Sequence, residues 1–439
     1  MGARHLWMAM LLAAPGHAAP WLDLSGSQRS RLEVLGGDLR ADRVADQSAL
    51  FLRTTLAARI GPGPVQLNAE LWDSRAYALA ARTPFTTGEI NPLEPVVANV
   101  SADLKGLGLV EAGHARLTAG RMIVNVGSRR LVGAEDYRNT ISASTGVRLD
   151  LGNKGWDSTL IWLLPQQRLP NTPDRLRDHA VVLDRERLNL AIWGGLFTWH
   201  RPGFDIDVNA YRLAEHDAPG LPTKDRRLNT LGGRLFAPHQ PKGGWDGELE
   251  AAWQWGEARR STAASAPLLP VDAWFFHGDL GHSWSGRWHP RLAVLVDGVS
   301  GDRPGGTIRR FDTLFGIRRP DFSLGSLLTV IGRANLLAVG VKGEVADKEN
   351  DAFVSVRPMW AESCFDQFSQ SGATDASGQS GRFAGWEFDS RVRHWLVHDR
   401  LRLELNGVLF ARRGLTRFAP GLRPGSLISY GSVTVQASF

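Results

Sequence analysis

The chain has 439 residues, 43% of them hydrophobic, with 48 Gly, 16 Trp, a single Cys and a formal charge of +6. Its mean hydropathy is −0.19, and no apolar run downstream of the N-terminus reaches the roughly 18 residues of a spanning helix, which excludes a helical membrane protein. The lone Cys364 excludes an internal disulfide, and the even spread of Lys and Arg argues against a basic tail for nucleic acid.

Arg4 and His5 precede the apolar run Leu6–Pro15, and Gly16-His-Ala18 offers small residues where a signal peptidase reads. Residues 1–18 therefore read as a secretory signal peptide, and 19–439 as one mature domain without a linker. Behind the signal, amphipathic segments repeat with a period of two. Leu22, Leu24, Leu32 and Val34 oppose Arg29, Arg31 and Glu33; Leu50, Leu52 and Leu56 oppose Arg53, Thr55 and Arg59. Val147, Leu149 and Leu151 oppose Arg148 and Asp150; Val208 and Ala210 oppose Asp207 and Asn209. Trp386, Phe388, Val392 and Leu396 oppose Glu387, Asp389, Arg391 and Arg393; Leu401, Leu403, Leu405 and Leu409 oppose Arg402, Glu404 and Asn406.

Such segments are centred near residues 28, 54, 69, 100, 120, 147, 160, 194, 208, 232, 251, 278, 293, 340, 356, 390, 406 and 433, with the register weakest near 100, 120 and 340. Compact turn chemistry at Asn153-Lys-Gly155, Arg201-Pro-Gly203, Gln240–Gly244, Ser285-Gly286 and Val397-His-Asp399 alternates with long polar stretches at Arg168–Arg187, Ser261–Pro270, Gly301–Leu327 and Cys364–Gly381. Trp156, Trp199, Trp245, Trp284 and Trp360 fall near segment ends, as interfacial aromatic girdles do. The last segment, Ser429–Phe439, alternates two-sidedly and ends on an aromatic residue, like the closing strand of a barrel that carries an assembly signal. The fold class expected is all-β: a transmembrane antiparallel β-barrel of about eighteen strands with short periplasmic turns and long extracellular loops.

Catalytic and metal-ligating spacings are absent. The nearest string, Gly281-His-Ser-Trp-Ser285, departs from the nucleophile-elbow pattern at its last position, and Glu387 with Asp389 reads more simply as lumen charge paired with Arg391 and Arg393. No cofactor is expected.

The most individual stretch is Leu117–Thr140. Its Gly120, Arg121, Gly127, Arg130, Leu131, Arg138, Asn139 and Thr140, followed by Ser142–Leu151, resemble the signature of the alginate-export family of outer-membrane barrels. Asp73-Ser-Arg75, Phe311–Phe315 and Asn335-Leu336 match more loosely. The resemblance implies a channel in the bacterial outer membrane that exports an alginate-like polyuronate. The alternatives are an uptake porin and, from another class, a barrel enzyme acting on lipid or polysaccharide.

A polyanion needs cations along its path, and arginine binds a carboxylate with a planar fork that never loses its charge. The residues expected at the lumen or its mouth are Arg53, Arg59, Arg121, Arg130, Arg138, Asn139, Arg148, Glu387, Asp389, Arg391, Arg393 and Arg402, with Arg130 and Arg138 at the mouth and Phe439 as the assembly signal. Expected partners are an anionic polysaccharide, outer-membrane lipids with lipopolysaccharide, the barrel-assembly machinery and a periplasmic export scaffold.

Overall fold

The computed structural model describes residues 21–240, 243–319, 321–323 and 327–439, so the expected signal peptide, residues 1–18, lies outside the described residues. The strands are β1 (Leu22–Gly36), β2 (Gln47–Ile60), β3 (Val65–Ala78), β4 (Asn91–Asp103), β5 (His114–Met122), β6 (Ser144–Gly152), β7 (Trp156–Gln167), β8 (Arg185–Glu186), β9 (Leu190–Arg201) and β10 (Phe204–Glu215). They continue as β11 (Arg227–Ala237), β12 (Gly244–Ala258), β13 (Leu269–Ser283), β14 (Arg291–Val299), β15 (Leu336–Ala346), β16 (Asn350–Trp360), β17 (Phe383–Val397), β18 (Leu401–Arg412) and β19 (Leu427–Ser438). Two helices of one turn each, α1 (Pro173–Arg177) and α2 (Gly414–Phe418), sit in connections.

Each long strand pairs antiparallel with its neighbours in sequence, and β1 closes the sheet on β19 in the register Ser27↔Ser438 to Gly36↔Ser429. β8 contributes only the pairs Gln166↔Glu186 and Gln167↔Arg185 to the end of β7, so the wall is a closed barrel of eighteen strands. Closure leaves no sheet edge, which is what allows strands to stand in lipid.

The alternation decides which face is which. On β18, Leu405 and Leu409 are exposed on the outside while Glu404 and Asn406 are buried inside; on β17, Trp386, Phe388 and Val392 are exposed while Glu387 and Asp389 are buried. A charge on the outer face at mid-depth would cost roughly 2–4 kcal/mol, so the parity is strongly fixed. Trp156 stacks on Phe197 at 5.6 Å, and Trp245 and Trp284 flank His282, at the end with short turns; Trp360 packs on Phe383 at the other.

The short turns, such as 153–155 and 398–400, lie at one end together with the Ser27↔Ser438 end of the β1–β19 seam. The long connections lie at the other. They are not all external and polar, as their composition suggested. The connection 300–335 buries Phe311, Ile317, Phe322, Leu327, Leu328, Val330 and Ile331, and 123–143 buries Val124, Val126, Leu131 and Val132. Both fold into the barrel and share one apolar core with inward residues of the wall, among them Phe51, Tyr211, Leu213, Phe275 and Phe410. Burying those side chains inside, at roughly 25 cal/mol per Å² of apolar area, is what draws the loops in from water.

Candidate functional site

The connection 123–143, the first inner loop, is gripped by arginines from β1 and β2. Arg29 donates to the carbonyls of Asp136 (2.9 Å) and Arg138 (2.7 Å), and Arg53 donates to the Asp136 carbonyl and pairs with its carboxylate, both at 2.9 Å. Arg31 donates to the Tyr137 carbonyl and lies over the Tyr137 ring, whose hydroxyl meets those of Tyr430 (2.6 Å) and Ser432 (2.8 Å). Asn139 is fully buried. Its amide spans the carbonyls of Leu52, Arg75 and Glu89 at 2.9–3.2 Å, while Ser74 donates to its carbonyl at 2.7 Å. A planar fork with five donors suits this task, because loop carbonyls taken from water must find donors or cost about 1–3 kcal/mol each.

The tip of this loop is held by charge. Arg130 binds Asp321, from the connection 300–335 (the second inner loop), through Nε and Nη2 at 2.7 Å each. Its Nη1 reaches Glu250 at 2.6 Å and also Glu248, both on β12. Arg333 closes on the other side of Asp321, and His277 holds Asp297 at 2.7 Å beside it. The two loops also pair through their backbones: Val132 bridges Phe315 in parallel, and the Phe315 and Ile317 amides donate to the carbonyls of Leu131 (3.1 Å) and Arg129 (3.0 Å). Gly316 makes this approach possible, since a Cβ there would lie 1.8 Å from the Arg130 oxygen. The loops thus form one body that fills the loop-end half of the lumen.

The turn-end half is polar and more open. Arg393 pairs with Glu404 at 2.6 Å, Arg391 with Asp351 at 2.5 Å, and Arg148 with Asp150 at 2.7 Å. Arg402 lies over the Trp395 ring at 5.3 Å and donates to Gln436 at 3.4 Å, so it is bound without a carboxylate. Arg59, at the turn-end mouth, is exposed and 3.7 Å from Asp23. Arg319, Lys342 and Arg391 all approach the Phe353 ring, within 4.8–5.4 Å. Phe353 and Arg391 line a pocket of about 350 Å³ together with Arg291, which fans out to Asp246, Asp279 and Glu344.

The expected site residues therefore separate into groups. Arg148, Arg391, Arg393 and Arg402 sit on the inward parity of the open half, with Arg59 at its mouth. Arg53, Arg130 and Asn139 are buried as loop anchors, and Glu387 and Asp389 are buried around Arg357. Arg130 is deep inside rather than at the mouth, because its charge is satisfied only by Asp321 and β12. Arg138 contributes its carbonyl, to Arg29 and Arg53. Arg121 does not line the lumen. It shares register with Ala98 and Thr145, on the parity of the exposed Val100 and Val147, and is tied to Glu94 (2.5 Å) and Glu186 (3.2 Å) at the loop-end rim. Beside it, burial pushes the Asp184 carboxyl up to about 6. The anchors Arg29, Arg31 and Tyr137, and the Phe353 cluster, were not among the expected site residues. Arg29 and Arg31 carried a signal, two arginines on one inward face, but their partners lie a hundred residues away.

Around Ser283 the arrangement differs from a Ser-His-Asp triad. Its Oγ is 3.2 Å from His239 Nδ1, but Asp246 lies 3.4 Å from that same nitrogen, so one ring atom serves both neighbours and no relay exists. Among the described residues no cluster of three His, Cys, Asp or Glu could hold a metal ion.

A model of the alginate export family matches residues 20–412. Among solved structures, the barrel resembles OpdK of Pseudomonas aeruginosa solved with vanillate (13% identity, TM-score 0.58, covering 95% of this chain and 98% of that one). It also resembles OccAB1 of Acinetobacter baumannii (10% identity, TM-score 0.59, 97% and 98%). At such identities the likeness speaks for the fold. A search of curated protein sequences finds no match.

Proposed function

The chain belongs to the alginate-export family of outer-membrane barrels, and from that premise we propose that this outer-membrane channel carries an anionic saccharide, exporting an alginate-like polyuronate. The observation that carries the cargo class is the set of inward arginines in the open half, Arg148, Arg391, Arg393 and Arg402. Three hold a neighbouring carboxylate that a passing uronate can replace with an equivalent partner, and Arg402 holds none. Exchange between like partners costs little, so a polymer is guided without being trapped. A conduit of this kind catalyses no reaction.

The test is block of single-channel current after reconstitution. Oligouronates should interrupt the current at concentrations where neutral oligosaccharides of equal length do not; equal block by both would remove the anionic cargo.

A second reading, uptake of small carboxylates, is favoured by one observation. The inner loops fill the loop-end half of the lumen, and a pocket of about 350 Å³ beneath them, lined by Arg291, Phe353 and Arg391, is of a size for a single ring. OpdK, solved with vanillate, offers a small aromatic carboxylate as a probe. Block by vanillate with indifference to oligouronates would favour uptake.

A further inference from the structure

The connection 413–426, between β18 and β19, holds Arg413, Arg417 and Arg423 and no carboxylate. The buried Arg412 props it from beneath, donating to the carbonyls of Thr416 (2.8 Å) and Arg423 (2.7 Å). Helix α2 is fixed on the wall: Leu415 and Thr416 are fully buried, Thr416 donates to the Ala384 carbonyl, and the Arg413 amide donates there at 3.0 Å. Since Leu415 and Ala419 point into the shared core, Arg417 and Phe418 point away from it, with Phe418 66% exposed and the Arg417 guanidinium 5.2 Å from its ring.

The other guanidiniums here find only carbonyls. Arg413 donates to Arg412, Arg423 to Arg43 and Ala41, and Arg382, on the chain against which Gly414 packs, to Glu362. Among the described residues none of these four arginines forms an ion pair, and the fold does not require their charge, since carbonyls are equally satisfied by neutral donors.

Their height supplies the second observation. Trp386, Ala411 and Leu427 are register partners in one row across β17, β18 and β19, and Trp386 and Leu427 are exposed on the lipid face. Arg413 is extended and two residues beyond Ala411 on the same parity, about 7 Å higher at strand rise. Arg413 therefore points outward directly above the last apolar row of the loop end, with the exposed Arg417 and Arg382 beside it. That is the level at which phosphorylated headgroups lie over acyl chains.

We propose that Arg382, Arg413 and Arg417, with Phe418 beside them, form a binding site on the outer rim for a phosphorylated outer-leaflet glycolipid of the lipid A type. The guanidiniums take the phosphate, and Phe418, Leu427 and Trp386 meet the acyl region. A soluble polyanion would use the charge but not the apolar row, which commits the site to lipid.

The experiment is native mass spectrometry of the detergent-extracted barrel titrated with bisphosphorylated lipid A, with its dephosphorylated form, and with inorganic phosphate as competitor. Replacing Arg382, Arg413 and Arg417 with Gln should weaken bisphosphorylated lipid A about tenfold or more, since a neutral amide cannot make the charge-assisted hydrogen bonds that a guanidinium makes to phosphate. Dephosphorylated lipid should bind both proteins equally, and phosphate should not displace the lipid. Heat-modifiability monitors folding, and Phe418→Ser, which leaves the cations in place, should weaken both lipids. Equal binding of bisphosphorylated lipid A by wild type and the triple variant would overturn the site; displacement by phosphate alone would make it an anion site and overturn the lipid assignment.

Discussion

Arg130 shows what a single side chain can decide. Its guanidinium joins two loops and the wall, meeting Asp321 on one edge and Glu250 and Glu248 on the other. A buried ion pair is weak evidence for stability, but removal of one partner leaves charges without compensation, at about 3–5 kcal/mol. Arg130→Gln should therefore loosen the inner loops without unfolding the wall, whose strands hold one another. The expected outcome is a barrel of normal heat-modifiability with larger and noisier single-channel conductance; unchanged conductance would mean that Arg130 does not hold the lumen closed. Little of this was legible in the sequence. The alternation of Arg29, Arg31 and Arg53 with Leu residues tells that these arginines point inward. It does not tell that they grip carbonyls of residues 136–138, because such pairings depend on where a distant loop comes to rest.

The wall, by contrast, is written strand by strand. Exposed Leu, Val and Trp opposite charge give the parity, and Gly-rich turns give the boundaries, so even the weakly patterned β4, β5 and β15 lie within a few residues of their expected centres. The same strands also carry a signal for what lies inside them. On β18 the inward series runs Arg402, Glu404, Asn406 and then Val408 and Phe410; on β10 it runs Asp207, Asn209 and then Tyr211 and Leu213. A strand that turns apolar on both faces toward its loop end has something packed inside it there, and the inner loops are what it packs. The seam makes a separate prediction. Phe439 exchanges both backbone hydrogen bonds with Gly26 at 3.0 Å, and its exposed ring lies over that glycine, where a Cβ would be 2.6 Å from the ring. Deletion of Phe439 removes the last pair of the closing ladder and the aromatic lipid anchor. The amount of heat-modifiable barrel in outer-membrane fractions should fall; full accumulation would show that neither closure nor assembly depends on it.

At the scale of the molecule, the barrel is a channel whose loop-end half is occupied and whose turn-end half is lined with paired charge. The excess of positive charge is therefore local. Arg402 is bound by a ring and an amide instead of a carboxylate, while Arg391 and Arg393 are each in direct contact with an acid, Asp351 and Glu404. A field from so few charges reaches across the lumen only at modest ionic strength, where the screening length is about 10 Å at 0.1 M against about 3 Å at 1 M. The most direct test of an anion conduit is the single-channel reversal potential in a salt gradient near 0.1 M, for the wild type and for a variant with Arg391, Arg393 and Arg402 replaced by Gln. Anion selectivity in the wild type, shifted toward cations in the variant and fading at high salt, is the predicted result. A normally inserted variant with an unchanged reversal potential would contradict the account, leaving these arginines as braces of the wall.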